Sequence, residues 1–165
     1  MPRIKLISTN YKLSIIATFM LVVYGIVSFI IPSIIIFFIP HSAIGNYFID
    51  YIYILLIMYL FTSIYFISVG CYYYYIKIDE YVMYFTSYRT ISGLLKPKNY
   101  IEVPHDLLKQ YSFFKRSFSL NKTLMIKIKD INGKIIIKRF NLSFLSRNEE
   151  IRISKTLEQI IAKNS

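Results

Sequence analysis

Two long uncharged stretches occupy the first half of the chain, and they constrain its fold more than any other feature. Leu13–Ile39 and Tyr51–Ile76 contain no Asp, Glu, Lys, Arg or His over 27 and 26 residues. A helix needs about 20 apolar residues to cross the hydrocarbon core of a bilayer, and lipid tolerates a helix because its backbone polar groups are bonded internally. The sequence therefore predicts a membrane α-helical hairpin over residues 13–76, with two transmembrane helices at about 13–39 and 51–76.

The composition agrees with a membrane protein. Hydrophobic residues make up 55% of the 165 residues and the mean hydropathy is +0.47, which is too apolar for a soluble domain with a wetted surface. A cleaved signal peptide is the alternative for the first stretch. Its apolar core exceeds the usual length of about 7–15 residues, and His41-Ser42-Ala43 lacks the small residue expected three positions before a cut. We therefore expect that the first stretch is not cleaved and that both spans are present in the mature protein.

The positive charges predict the orientation. Arg3, Lys5 and Lys12 precede the first span, the connection Pro40–Asp50 has no Lys or Arg, and 17 of the 20 Lys and Arg residues lie from Lys77 onward. The positive-inside rule then predicts a multi-pass protein of the plasma (inner) membrane, with a cytoplasmic segment at residues 1–12 and both termini cytoplasmic.

Small residues recur along both spans. Helices in a bilayer associate where small side chains let their backbones approach closely. The steps of three and four residues predict a helix-helix contact whose small members are Ser14, Thr18, Gly25, Ser28, Ser63 and Gly70. The contact joins the two spans or two copies of the hairpin. Neither span carries an ionisable residue of the kind that marks an ion path, so a transporter or proton channel acting alone is disfavoured.

The second half, residues 77–165, has the periodicity of a small α+β domain. Runs rich in aromatic and β-branched residues predict strands, namely Tyr74–Ile78, Tyr81–Thr86, Tyr100–Val103, Leu124–Lys129 and Lys134–Phe140. Asn132-Gly133 predicts the turn of a hairpin. Loops of two, three or four residues all fit, and a three-residue loop with Gly133 left-handed is favoured because it sets Asp130 opposite Lys134.

A helix closes the chain. Ser146-Arg147-Asn148-Glu149 is a capping box, in which the serine hydroxyl and the glutamate carboxylate each satisfy a backbone N–H of the first turn. Behind it, Ile153, Leu157, Ile160 and Ile161 form one apolar stripe. We expect this stripe to pack on the preceding sheet.

The order of these elements resembles the bacterial pleckstrin-homology-like (PH-like) domains found on small membrane proteins. The residues that carry the resemblance are Tyr75-Ile76-Lys77-Ile78-Asp79-Glu80-Tyr81-Val82-Met83-Tyr84, Tyr100-Ile101-Glu102-Val103-Pro104-His105-Asp106-Leu107-Leu108, the Asn132-Gly133 hairpin and Asn141-Leu142-Ser143-Phe144-Leu145. The resemblance implies seven antiparallel strands in a bent, half-open β-barrel capped by a C-terminal helix, with one strand and a loop in Leu107–Ser119.

The sequence offers no catalytic constellation. It has no glycine-rich phosphate loop, no metal-type Cys/His spacing and no nucleophile elbow. His105 and Asp106 are adjacent, so their side chains point apart and fit a solvated turn better than a dyad. The single Cys71 fits a small buried residue, with juxtamembrane palmitoylation as the alternative. We expect a protein that is not an enzyme and that has no cofactor and no metal.

The second half is strongly basic, with 17 Lys and Arg against 8 Asp and Glu. Such a surface favours anionic lipid headgroups or an acidic partner, and the alternative is that the charge only follows the positive-inside bias. No motif for nucleic acid is present. The candidate anionic-group binding residues are Lys115, Arg116, Lys127, Lys129, Lys134, Lys138 and Arg139.

Two functions follow from these observations. The favoured one is a membrane-tethered binding or scaffold module that engages a protein partner or anionic lipid headgroups at the cytoplasmic face. The alternative is an accessory or immunity-type membrane subunit that acts through its transmembrane hairpin, with a structural cytoplasmic domain. The predicted partners are the lipid bilayer, a membrane protein or a second copy of the chain, and anionic headgroups.

Overall fold

The computed structural model describes residues 5–38, 43–90, 99–115, 119–130 and 133–164, which form two compact units. The sheet unit consists of Met1–Ser14 and Cys71–Ser165, and the helical unit consists of Ile15–Gly70. Pro40 and His41 of the predicted connection, Arg116 and Asn132 lie outside the described residues. Residues 5–14, which precede the apolar helices, belong to the sheet unit.

The apolar half of the chain is helical. Helices α1 (Tyr11–Gly25), α2 (Ile31–Phe38) and α3 (Ala43–Val69) are its elements, and a π-helical turn at Ile26–Ile30 joins α1 to α2. Two stretches, Tyr11–Ile34 and Tyr51–Val69, are long and apolar enough to cross a membrane by length and composition.

The π-helical turn was not predicted, and Pro32 explains it. Proline has no N–H, so it cannot continue the hydrogen-bond ladder inside a helix. The N–H of Ile31 donates to the carbonyl of Ile26, five residues back, instead of four. The first apolar stretch is therefore one continuous helical path with a widened turn.

Helix α3 ends seven residues before the predicted end of the second span. Gly70 has a φ of +75° and its N–H donates to the carbonyl of Phe66 at 2.9 Å, which is a common way to end a helix. Residues Tyr72–Ile78 form a strand instead. The span prediction was wrong here because no charged residue occurs between the helix and Lys77 of this strand, so the uncharged stretch continues past the end of the helix.

One antiparallel sheet has four strands in the order β1-β2-β3-β4. They are β1 (Leu6–Thr9), β2 (Tyr72–Ile78), β3 (Val82–Arg89) and β4 (Asn99–Pro104). The predicted strands in β2, β3 and β4 are confirmed. Strand β1 was not predicted, and it pairs antiparallel with β2 from Leu6 opposite Ile78 to Thr9 opposite Tyr75.

The second antiparallel sheet has the order β5-β6-β7. Its strands are β5 (Leu108–Lys115), β6 (Asn121–Lys129) and β7 (Ile135–Ser143), so the strand implied for Leu107–Ser119 is present. The N–H of Asp130 donates to Lys134 O at 2.8 Å, and Gly133 has a φ of +80°. The three-residue hairpin loop is confirmed.

Helix α4 (Arg147–Asn164) covers the core between the sheets. Its stripe residues Ile153, Leu157 and Ile160 are fully buried and Ile161 packs against the core, which confirms the predicted packing. The Ser146 hydroxyl accepts the N–H of Glu149 at 3.2 Å. The seven described strands form two separate sheets with a C-terminal helix and not one closed barrel.

Candidate functional site

The register of the second sheet divides its side chains between a core face and an outer face. Ile126 and Ile128 on β6 are buried, and neighbours along a strand point to opposite faces. Lys127 is opposite Ile137 and Lys129 is opposite Ile135. Residues opposite each other share a face, so these two lysines and their partners lie on the outer face.

The outer face carries cations and exposed apolar groups together. By register it consists of Gln110, Ser112, Phe114, Thr123, Met125, Lys127, Lys129, Ile135, Ile137, Arg139 and Asn141. Its three charges are all positive. Ile135 and Ile137 are 61% and 50% exposed and are neighbours on this face of β7, and adjacent exposed large apolar side chains mark an interaction surface. Phe114 is 54% exposed on the same face but lies opposite Thr123, at the other end of the sheet.

Only part of the predicted basic cluster lies on this face. Lys127, Lys129 and Arg139 share it, whereas Lys138 is opposite Ile126 on the other face. Lys134 is in the hairpin turn. The remaining described member lies elsewhere, since Lys115 is opposite Lys122, which is ion-paired with Glu150 of α4. The alternation of strand side chains separates cations that are close in the sequence.

The predicted helix-contact residues also occupy different places. A Cβ at Gly25 would lie 2.9 Å from the Tyr59 hydroxyl of α3, so the Tyr59 side chain packs directly on the Gly25 backbone. Ser28 is buried, Thr18 is half-buried, and the Ser28 and Ser63 hydroxyls have no hydrogen-bond partner within the described residues.

Two members of the predicted stripe serve at the ends of helices. Ser14 belongs to the sheet unit, where it is buried and its hydroxyl donates to Tyr11 O at 3.0 Å. Gly70 ends α3 in the left-handed conformation.

A buried polar cluster around Asn10 was not predicted from the sequence. Asn10 is 3% exposed, and its Nδ2 donates to the carbonyls of Tyr72 at 2.8 Å and Ser143 at 2.9 Å. Its Oδ1 accepts the N–H of Tyr74 at 2.9 Å. One side chain therefore joins the residue before α1, the start of β2 and the end of β7. We call this cluster the junction.

Ser143 and Cys71 extend the junction. The Ser143 hydroxyl accepts the N–H of Tyr72 at 2.7 Å and donates to the Asn121 side chain. Both the N–H and the hydroxyl of Thr90 donate to Cys71 O at 2.9 Å. The Cys71 side chain is buried, and burial raises the pKa of its thiol. Burial fits the structural interpretation of Cys71 and leaves the thiol poorly placed for acylation.

A second cluster joins β1, β2 and α4. The Glu149 carboxylate accepts hydrogen bonds from the Ser8 hydroxyl at 3.3 Å and the Tyr74 hydroxyl at 3.4 Å. It also lies 3.3 Å from the Ser146 hydroxyl. Burial raises the pKa of Tyr74 to about 12. The only sequence signal for Ser8 was the alternation of Leu6–Thr9, and four residues beside an apolar span give too little periodicity to recognise.

The His105-Asp106 pair lies in a 3-10 turn, His105–Leu107. Asn164 of α4 donates to His105 O at 2.5 Å. Burial lowers the pKa of His105 and so favours the neutral form of its imidazole. In the described parts of the chain no three His, Cys, Asp or Glu side chains are grouped so that they could hold a metal ion.

Comparisons with known proteins assign no family to the chain. No protein-family model, no curated protein and no solved structure matches the chain.

Proposed function

We propose that the chain is a membrane-tethered, non-enzymatic binding module, whose cytoplasmic sheet unit has a PH-like layout. The pairing of β1 with β2 carries the proposal. One residue separates β1 from α1, and two residues separate α3 from β2. If the two apolar helices cross a membrane, this pairing requires them to cross as a hairpin, with both ends on one side. The basic residues of the sheet unit then favour the cytoplasm for that side, by the positive-inside rule.

The PH-like layout is supported by the sheets. Four antiparallel strands, three further antiparallel strands and a C-terminal helix packed on the core follow the order that the resemblance implies. This chain differs in where the apolar hairpin lies, since α1 to α3 are inserted between the first and second strands.

The outer face of β5, β6 and β7 supports a binding role. A soluble face without a partner usually alternates polar residues of both signs, whereas this one combines three cations with exposed Phe114, Ile135 and Ile137. Its complement is an acidic surface with apolar groups, on a protein or at the headgroups of anionic lipid.

The topology is tested by reporters fused after Ser165. A fusion to green fluorescent protein should fluoresce and a fusion to alkaline phosphatase should be inactive. An active phosphatase would contradict the proposed orientation.

The alternative function, an accessory subunit that acts through its hairpin, is supported by the helical unit. The buried hydroxyls of Ser28 and Ser63 are donors of the kind that bond between membrane helices. Exchange of residues 15–70 for an unrelated two-span hairpin, with the sheet unit kept, separates the two functions. A partner that still co-purifies in mild detergent supports the binding module, and a partner that is lost supports the hairpin.

A further inference from the structure

We propose that the free edge of β7, Ile135–Lys138, is a docking strand for an extended segment of a partner protein that carries acidic and apolar side chains. The proposal rests on the binding function above and names its partner. The segment would add to β7 as a further antiparallel or parallel strand, so that main-chain hydrogen bonds give affinity and side chains give specificity.

The edge is open over a length that suits one strand. Among the described residues, Ile135–Lys138 pairs with β6 on one side only. The rest of β7 is occupied, since Asn99 of β4 donates to Arg139 O at 3.2 Å and Ser87 of β3 donates to Asn141 O at 2.6 Å. Four residues span about 13 Å at the rise of a strand, which is within the usual range of strand lengths.

The edge is apolar on both faces. Ile135 and Ile137 are 61% and 50% exposed on the outer face, and Ile136 is 38% exposed on the other. Soluble proteins usually shorten, cover or charge such an edge because it is a template for pairing with another chain. Three consecutive exposed isoleucines there indicate a surface that a partner covers.

The charges decide which partner fits. Arg139, Lys127 and Lys129 lie on the outer face, Lys138 lies on the other face, and Lys134 is in the turn. Edge-to-edge pairing with a second copy would bring these cations together, which is costly. An incoming strand with acidic residues meets a cation on whichever face its carboxylates point.

The open backbone disfavours a bilayer as the occupant. Hydrocarbon offers no partner for the N–H and C=O groups of a strand edge, whereas an added strand satisfies them. The edge also lies far from the junction along β7, since Ile135 is eight residues, about 26 Å of strand, from Ser143. A bound segment would leave the junction bonds intact.

The test uses the full chain in detergent and a fluorescein-labelled short peptide of alternating glutamate and valine, with binding followed by anisotropy. We expect saturable binding that weakens as ionic strength rises. Two control peptides should each bind at least about tenfold more weakly. One is a peptide of alternating lysine and valine. The other is the glutamate–valine peptide with alternate backbone amides methylated, which keeps its charges but cannot form the main-chain hydrogen bonds of an added strand.

Matched variants locate the site. Lys138→Gln with Arg139→Gln, and separately Ile135→Thr with Ile137→Thr, should weaken binding at least about tenfold. The control Lys155→Gln with Lys163→Gln removes two exposed cations from α4 and should leave binding unchanged. All three should keep the wild-type unfolding midpoint.

Several results would overturn the proposal. The proposal fails if the glutamate–valine peptide does not bind at low salt, or if the methylated peptide binds as tightly as the unmethylated one. It also fails if the α4 control variant loses as much peptide binding as the β7 variants, or if the chain forms a dimer that Ile135→Thr with Ile137→Thr abolishes. Binding to vesicles of phosphatidylserine that depends on Lys138 and Arg139, without peptide binding, would assign the edge to lipid instead. None of these results bears on the reporter topology, so the docking strand can fail while the tethered module stands.

Discussion

Replacing Asn10 with Ala should open the junction, and the size of the effect follows from its hydrogen bonds. Alanine removes three bonds to main-chain groups: the carbonyls of Tyr72 and Ser143 and the N–H of Tyr74. A buried polar group without a partner costs about 1–3 kcal/mol. The bonds to Ser143 and Tyr74 are buried, whereas water can reach the carbonyl of Tyr72, so we expect a loss of about 3–4 kcal/mol in the free energy of opening.

Cys71 provides the assay. It is the only cysteine of the chain and is 2% exposed, so a thiol reagent reaches it only when the region beside the junction opens. Because about 1.4 kcal/mol corresponds to a factor of ten in an equilibrium, Asn10→Ala should speed labelling of Cys71 in the detergent-solubilised chain by about 100- to 1000-fold. The rate should be normalised to that of the unfolded chain.

Two variants sharpen this test. Asn10→Asp keeps the shape and the acceptor for Tyr74 but sets a carboxylate oxygen against two carbonyls, so it should label at least as fast as Asn10→Ala at neutral pH. Asn99→Ala removes an exposed amide bonded to Arg139 O and should leave the rate nearly unchanged. Labelling of Asn10→Ala at the wild-type rate, or equal acceleration in Asn99→Ala, would refute the role of the junction.

Three further changes test the core, the helix contact and the buried tyrosine. Leu157→Ala should cost about 2–5 kcal/mol in denaturant unfolding, because Leu157 is fully buried, whereas exposed Lys155→Ala should stay within about 0.5 kcal/mol; equal midpoints would remove α4 from the core. Gly25→Leu should lower the melting temperature in detergent, since even a Cβ there lies 2.9 Å from a tyrosine hydroxyl of α3, whereas exposed Ile26→Leu should be silent; equal effects would argue against this contact. Burial raises the pKa of Tyr74 from 10.0 to about 12, so between about pH 10 and about pH 12 this tyrosine ionises only in the unfolded state and the stability of the fold should decrease. Tyr74→Phe should remove this part of the pH dependence of stability, and an unchanged pH dependence would contradict the role of Tyr74.

Much of the sheet unit could be predicted because its signals are local. The hairpin around Gly133 depends on a turn that needs a left-handed residue, and the capping box and stripe of α4 lie within one helix. Strand β1 could not be predicted, since Leu6–Thr9 is short and its partner β2 lies more than 60 residues away. The boundary at Val69 was also hidden, because the first five residues of β2 are uncharged like the helix before them.

The candidate site was less predictable than the fold. The sequence indicated that the second half is basic, but grouping cations by sequence proximity ignores the face on which each lies. Lys138 and Arg139 are adjacent and point to opposite faces of the sheet. The exposure of Ile135, Ile136 and Ile137 could not be predicted, because exposure of both faces depends on β7 being the edge of its sheet, and strand order is a property of the whole fold.

The insertion of the apolar helices between β1 and β2 determines how the chain can be divided. Antiparallel neighbours such as these are usually joined by a tight turn, and here residues 10–71 take the place of that turn while Asn10 holds its two ends within hydrogen-bond distance. Proteins tolerate the insertion of a segment at positions where its two ends lie close together in the fold. A fragment that starts at residue 77 would lack β1 and most of β2, and with them the fully buried Tyr74 and Ile76. A deletion of residues 77–165 would conversely leave both strands without the core that they cover. The cut that respects the packing lies at residues 15 and 70, so experiments that separate the sheet unit from the helices should exchange the inserted segment and keep both flanking strands.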